Sequence, residues 1–232
     1  MRGRAVVVVG AAGGVGASTL AALLAARLAA DGRPAALVDL AEGHGGIEVL
    51  LGTEGLDGAR WADLADVRGP VGTGDLHGLL PRWGTVEVLG GDRRSGPTDR
   101  AALTAVWEGL LAGGRTVVAD VPAHALADGA VADLVRASRT VVVTGQDVLG
   151  VASAASVVPA LGPGAGLVLR RRAGARVAPA QAGAVLRLDL LGLLPSDRRV
   201  AGAVDRGLGP AVAGWSPLSR AVRRLAGRLG DG

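Results

Sequence analysis

The sequence predicts an α/β fold, a doubly wound and mostly parallel sheet flanked by helices. Three observations point there. Short runs rich in valine, leucine and alanine alternate with helical stretches, the pattern of βαβ units rather than of hairpins. Apolar residues make up 49% of the chain while aromatics are only 2%, so the core is aliphatic. Buried parallel strands read as continuous aliphatic runs of this kind. The first run ends on a glycine cluster, Gly10, Gly13, Gly14 and Gly16, and a helical stretch follows at once. At 232 residues the chain suits one three-layer domain, and no internal repeat or long low-complexity linker divides it.

Taken in order, strands are expected at 6–9, 35–38, 85–89, 115–119, 140–143, 166–169 and 190–194. The second ends on Asp39, the fourth on Asp120, and the last precedes Pro195. Helices are expected at 18–30, 98–111 and 148–161, and the glycine-rich stretch 52–84 is expected to be irregular. In open parallel sheets, ligands bind beyond the carboxyl ends of the strands. The glycine loop, Asp39 and Asp120 all fall at such ends, which gathers them into one candidate site.

Composition closes off several chemistries. The chain has no cysteine, which removes disulfides, thiolate zinc sites and cysteine nucleophiles and points to the cytoplasm. It also has no lysine, asparagine or tyrosine; all 25 basic residues are arginine, and the net charge is +4. Lysine Schiff bases and lysine general bases are therefore excluded. Residues 5–26 carry no charge, but four glycines within seven positions make a poor membrane helix or leader and a good turn. His44, His77 and His124 have no metal-ligand spacing and are read as surface or loop residues. Trp61, Trp83, Trp107 and Trp215 are read as core or interface packing.

The loop Gly10-Ala11-Ala12-Gly13-Gly14-Val15-Gly16-Ala17-Ser18-Thr19 stands between a strand and a helix. Glycines let the backbone turn sharply and aim successive N–H groups inward, and the helix N-terminus adds partial positive charge. Ser18 is the expected N-cap and, in a phosphate loop, a magnesium ligand. Two other readings stay open. One is a tight turn that binds nothing. The other is a non-catalytic NAD(P) site, because Gly10-x-x-x-Gly14-x-Gly16 also looks like a dinucleotide loop with Asp39 as its ribose acid. Short-chain dehydrogenase chemistry is excluded, since it needs a tyrosine and a lysine.

Gly13-Gly14-Val15-Gly16-Ala17-Ser18-Thr19 resembles the deviant Walker A motif of the MinD/ParA family of P-loop proteins. The strand ending Val38-Asp39-Leu40 and the strand Val117-Val118-Ala119-Asp120-Val121-Pro122 are similar to that family's second and Walker B strands. So is the late segment running from Leu190 through Pro195-Ser196-Asp197 to Asp205-Arg206-Gly207. Within the family the chain most resembles the CpaE/TadZ branch, including actinobacterial septum-site-determining, CpaE-like proteins, whose loops often carry alanine at the lysine position. Gly45 to Gly52 and Arg60-Trp61-Ala62-Asp63-Leu64 also look like that branch. Those proteins commonly have a receiver-like N-terminal domain, whereas residues 1–232 are read as a single domain without one.

The resemblance implies a site for ATP or ADP with magnesium, held by Gly13, Gly14, Val15, Gly16, Ala17, Ser18, Thr19, Asp39 and Asp120. Ser18, Asp39 and Asp120 would face the metal. Three departures weaken it. Ala12 and Ala17 occupy the signature and Walker A lysine positions, and Ala41 replaces the second acid of an Asp-x-Asp pair, with Glu42 one residue away. Losing a charged phosphate contact costs about 2–5 kcal/mol, so binding is expected to be weak and efficient hydrolysis is not expected. Arg170 or Arg171 stands where the family has a base-recognising asparagine; Arg170-Arg171-Arg172 is read as a solvated loop cluster or as a phosphate or partner contact.

By the same resemblance, the expected role is siting pilus or secretion machinery, or the division septum, through protein contacts and in some relatives as a homodimer. The stretch from Pro217 to Leu229 sets Leu218, Ala221, Val222, Leu225 and Leu229 on one helical face opposite arginines. It is read as a final helix packed on the sheet, with attachment to the inner membrane surface as the alternative. Nucleic acid is not an expected partner, because the charge balance does not demand one.

Overall fold

The computed structural model describes residues 3–41, 46–72, 74–91, 99–172, 174–210 and 214–230. Eight strands form one sheet: β1 (Arg4–Gly10), β2 (Ala35–Asp39), β3 (Arg82–Trp83), β4 (Val86–Leu89), β5 (Thr116–Pro122), β6 (Arg139–Gly145), β7 (Gly166–Arg170) and β8 (Asp189–Leu194). Their spatial order is β3-β4-β2-β5-β1-β6-β7-β8. Every pairing is parallel except β3 with β4. The expected fold class is the observed one.

Valine repetition sets the layers. Along β1, Val6 and Val8 point to one face and Val7 and Val9 to the other, and all four are buried. The first face is covered by α1 (Ala17–Ala30), α2 (Gly46–Leu51), α7 (Arg198–Val204) and α8 (Pro217–Gly230). The second is covered by α3 (Arg100–Ala112), α4 (Gly129–Ala137), α5 (Val148–Val157) and α6 (Pro179–Leu186). With both faces covered, the inner strands are mostly aliphatic, and their few polar side chains, such as Asp39, Glu87, Asp120 and Thr144, are buried with them.

The structure adjusts several expected boundaries. Asp120 lies inside β5 rather than at its end, because Val121 and Pro122 go on to pair with Val9 and Gly10. The helix expected over 148–161 gives way to a 3₁₀ turn at Val158–Ala160, where Pro159 cannot donate the next helical hydrogen bond. Helix α3 starts at Arg100, capped by Asp99, whose carboxylate accepts from the Ala101 and Ala102 amides at 2.6 and 3.3 Å. Between residues 52 and 84 the chain is largely turns, with a 3₁₀ segment at Trp61–Leu64 and the short strand β3.

Helix α8 buries Leu218, Val222, Leu225, Ala226 and Leu229 against the sheet. Ala226 rather than Ala221 completes that face. Arginines fasten the helix: Arg4 and Arg139 donate to the Gly230 and Arg228 carbonyls at 2.6 and 2.9 Å, where the helix dipole is negative. Arg228 in turn donates to the carbonyls of Leu190 and Leu191 on β8 at 3.3 and 2.7 Å. The apolar face of this helix is therefore committed to the core and is not presented to a lipid surface. Among the described residues, no helix is long and apolar enough to cross a membrane.

Candidate functional site

The chain leaves β1 at Gly10 and is held by the Ala11 amide, which donates to the Val143 carbonyl at 3.0 Å. Gly14 and Gly16 then take left-handed backbone angles, with φ of 72° and 87°. A side chain at either position would be strained, so the loop's shape depends on these glycines. Helix α1 begins at Ala17, with Gly16 as its N-cap, no side chain bonded to its first amides and no acid in its first turn. Ser18 is thus not the cap that the sequence suggests. It lies inside the first turn, and its hydroxyl is hydrogen-bonded to Asp120 instead. Open N–H groups at the start of a 14-residue helix make an anion-seeking surface.

Asp39 and Asp120 sit opposite each other in the β2–β5 pairing, 1% and 7% exposed. Asp39 accepts from the Ala41 amide at 2.9 Å and from the Ile47 amide at 3.3 Å, so the start of α2 is tied to the end of β2. Burial, then repulsion from Asp120, raises the Asp39 pKa to about 7, partly offset by the two amides. Burial also raises the Asp120 pKa, to about 6, against the lowering effect of the Ser18 hydrogen bond. Two carboxylates kept this close in a dry setting hold their charge poorly until a cation joins them.

A cleft of about 470 Å³ opens over these groups. Gly14, Val15, Gly16, Ala17, Ser18, Thr19, Asp39 and Asp120 all line it, as the sequence anticipates. Gly13 does not; it is exposed outside the lining. Ala17 has its methyl in the core, 3.0 Å from where a Cβ on Gly10 would stand. Ala12 is exposed, and Glu42 lies outside the described residues. Among the described residues no cluster of three histidine or carboxylate groups could hold a metal ion by itself. The donor set nevertheless fits a hard divalent cation that arrives with a phosphate: one hydroxyl, two buried carboxylates, and helix amides for the phosphate oxygens.

Sequence reasoning missed contacts that arrive from distant segments. The Trp61 indole donates to the Asp39 carbonyl at 2.7 Å, fixing the strand end from the irregular stretch. Arg60, beside it, is buried in an ion pair with Glu48 of α2 and donates to three backbone carbonyls. The three consecutive arginines that begin at the end of β7 separate. Arg172 pairs with Asp147 at 3.3 Å, Arg171 lines a depression under α8, and Arg170 enters the cleft. His77 and His124 are exposed, and His44 lies outside the described residues. Trp61 and Trp107 are core residues, whereas Trp215 is exposed.

The strand order argues against the dinucleotide reading of the loop. A dinucleotide-binding sheet runs 3-2-1-4-5-6 and sets the strand bearing the ribose acid next to the first strand. Here β5, carrying Asp120, stands between β1 and β2. Solved structures agree. A ParA family ATPase from Chlorobium tepidum matches with a TM-score of 0.81 at 16% identity over 97% of this chain and 98% of that one. MinD in the MinC:MinD cell division complex of Aquifex aeolicus matches at 0.77, with 22% identity over 99% and 96%. MinD from Pyrococcus horikoshii, complexed with Mg-ADP, matches at 0.66, with 20% identity over 98% and 96%. The fold is that of the ParA and MinD ATPases. No family model matches the sequence. The uncharacterized proteins MT3760 and Rv3660c of Mycobacterium tuberculosis are 37% identical over 230 residues, 98% of this chain. The chain spans 64% of the length of these relatives.

Proposed function

We propose that the chain is a MinD/ParA-family positioning or regulatory protein of the CpaE/TadZ branch, deficient as an ATPase. One observation carries this reading. The loop keeps the phosphate-cradling backbone, with Gly14 and Gly16 left-handed over Ser18, Asp39 and Asp120, while alanines stand at 12, 17 and 41. A retained cradle with its loop cations removed supports weak Mg-nucleotide binding without efficient hydrolysis. Bound magnesium would supply the charge that lets Asp39 and Asp120 ionise together. Asp39 and Asp120 would hold the ion, Ser18 would complete the donor set, and the α1 amides would orient phosphate.

Output would then come from protein contacts that site pilus or secretion machinery, or the septum. The complex of a fold neighbour, MinD, with MinC is a precedent for such contacts in that protein. A nucleotide-dependent homodimer is favoured by Val148 and Leu149, which are 74% and 80% exposed where α5 leaves the cleft end of the sheet. Such apolar residues beside a ligand site suit a transient contact.

Titration of the purified protein with fluorescent ATP, ADP and NADH tests the reading. ATP and ADP are expected to bind with Mg²⁺ near millimolar concentration, with NADH inert. Turnover matching an active MinD would sink the proposed deficiency, and NADH binding would overturn the family assignment. Neighbouring genes for a secretion ATPase and pilus proteins would favour the pilus role over the septum.

A further inference from the structure

Each of the other buried arginines has an anion. Arg60 is paired with Glu48, and Arg115 with Glu87. Arg170 is the exception: it is half-buried, and among the described residues no carboxylate pairs with it. Its one side-chain hydrogen bond among the described residues is a long one, to the Pro195 carbonyl at 3.5 Å. Its guanidinium instead lies 3.4 Å from the point where a methyl on Gly16 would stand, against the N-terminus of α1. Burial lowers its pKa, yet the side chain stays cationic. A partly desolvated cation with no carboxylate partner among the described residues, facing open helix amides in a cleft, is arranged to receive an anion from outside the protein.

We propose that Arg170 supplies, from β7, the positive charge that the glycine loop lacks, so that the phosphates of a nucleotide are held by a guanidinium entering from a distant strand. This rests on the nucleotide reading above and deepens it. A planar guanidinium can grip two phosphate oxygens at once, which a lysine cannot.

The test is calorimetric titration with ATP, with inorganic tripolyphosphate and with adenosine, each with Mg²⁺, on wild type, Arg170→Ala, Arg170→Lys and Arg171→Ala. Arg170→Ala is expected to weaken ATP and tripolyphosphate roughly 30-fold or more while leaving adenosine unchanged. Arg170→Lys should fall between, and Arg171→Ala should match wild type. Thermal melts of the four proteins should agree, since Arg170 has so little to lose inside the fold. If Arg170→Ala binds tripolyphosphate like wild type, or loses adenosine in the same proportion as ATP, the inference fails and the nucleotide reading survives. A wild-type protein that takes neither ATP nor tripolyphosphate ends both.

Discussion

At the scale of single residues, the site is defined by two acids rather than by its loop. Asp39 is pushed to about 7 and Asp120 to about 6, above the ordinary 3.8, so the folded protein holds protons that the unfolded chain releases. The stability these two acids contribute without ligand is then fully present below about pH 4 and is lost as pH rises through 6 to 7. Asp39→Asn should flatten that slope and raise the urea midpoint at pH 8, by roughly 2 kcal/mol in unfolding free energy. The asparagine oxygen can accept from only one of the two amides, since Ala41 donates to Oδ1 and Ile47 to Oδ2, and the longer Ile47 bond is the one given up. Urea titrations at pH 5 and pH 8 check this; a variant with the wild-type pH slope would show that Asp39 is not the group responsible. These residues were legible before the fold, because an aspartate closing an aliphatic run marks the ligand end of a parallel strand. Arg170 was legible only as one of three arginines, since nothing local tells which of them turns back across the sheet.

At the scale of elements, the starts of α3, α4, α5 and α7 are set by aspartates. Asp128 accepts from the Ala130 and Val131 amides at the start of α4, at 2.7 and 3.1 Å. Asp147 and Asp197 do the same for α5 and α7. Helix α1 is different, because it has a bare left-handed glycine there. Asp128→Ala should therefore cost about 1 kcal/mol, read from chemical denaturation, and leave nucleotide titrations unchanged. An equal loss of binding would mean that α4 bears on the cleft after all. Long aliphatic strands and the first helix could be read from pattern and composition. The two-residue β3 could not, because its pairing depends on the turn that brings Trp83 opposite Val86. Nor could the role of Trp61, which is 22 positions from the carbonyl it binds.

At the scale of the whole molecule, a sheet built almost wholly from aliphatic residues also buries two ion pairs beside its edge strand and loops. Arg115, next to β5, meets Glu87 on β4, and both side chains are under 10% exposed. Removing one partner leaves a charge stranded, so Arg115→Ala should destabilise the protein by about 3–5 kcal/mol. Replacing both Arg115 and Glu87 by apolar residues should recover much of the loss, and denaturation curves of the single and double variants check it. If the double variant were worse than the sum, the pair would be doing more than cancelling its own burial.

The arginine that ties α8 to β8 bears on how copies of this protein can meet. An open strand edge invites another chain to continue the sheet. At one end of this sheet the Leu190 and Leu191 carbonyls already accept from Arg228, and at the other a two-residue antiparallel strand closes β4. Both borders are blunted. Filaments grown by edge-to-edge strand addition are thereby discouraged. The nucleotide-dependent contact proposed above would therefore have to form through side chains, without any strand being added to the sheet.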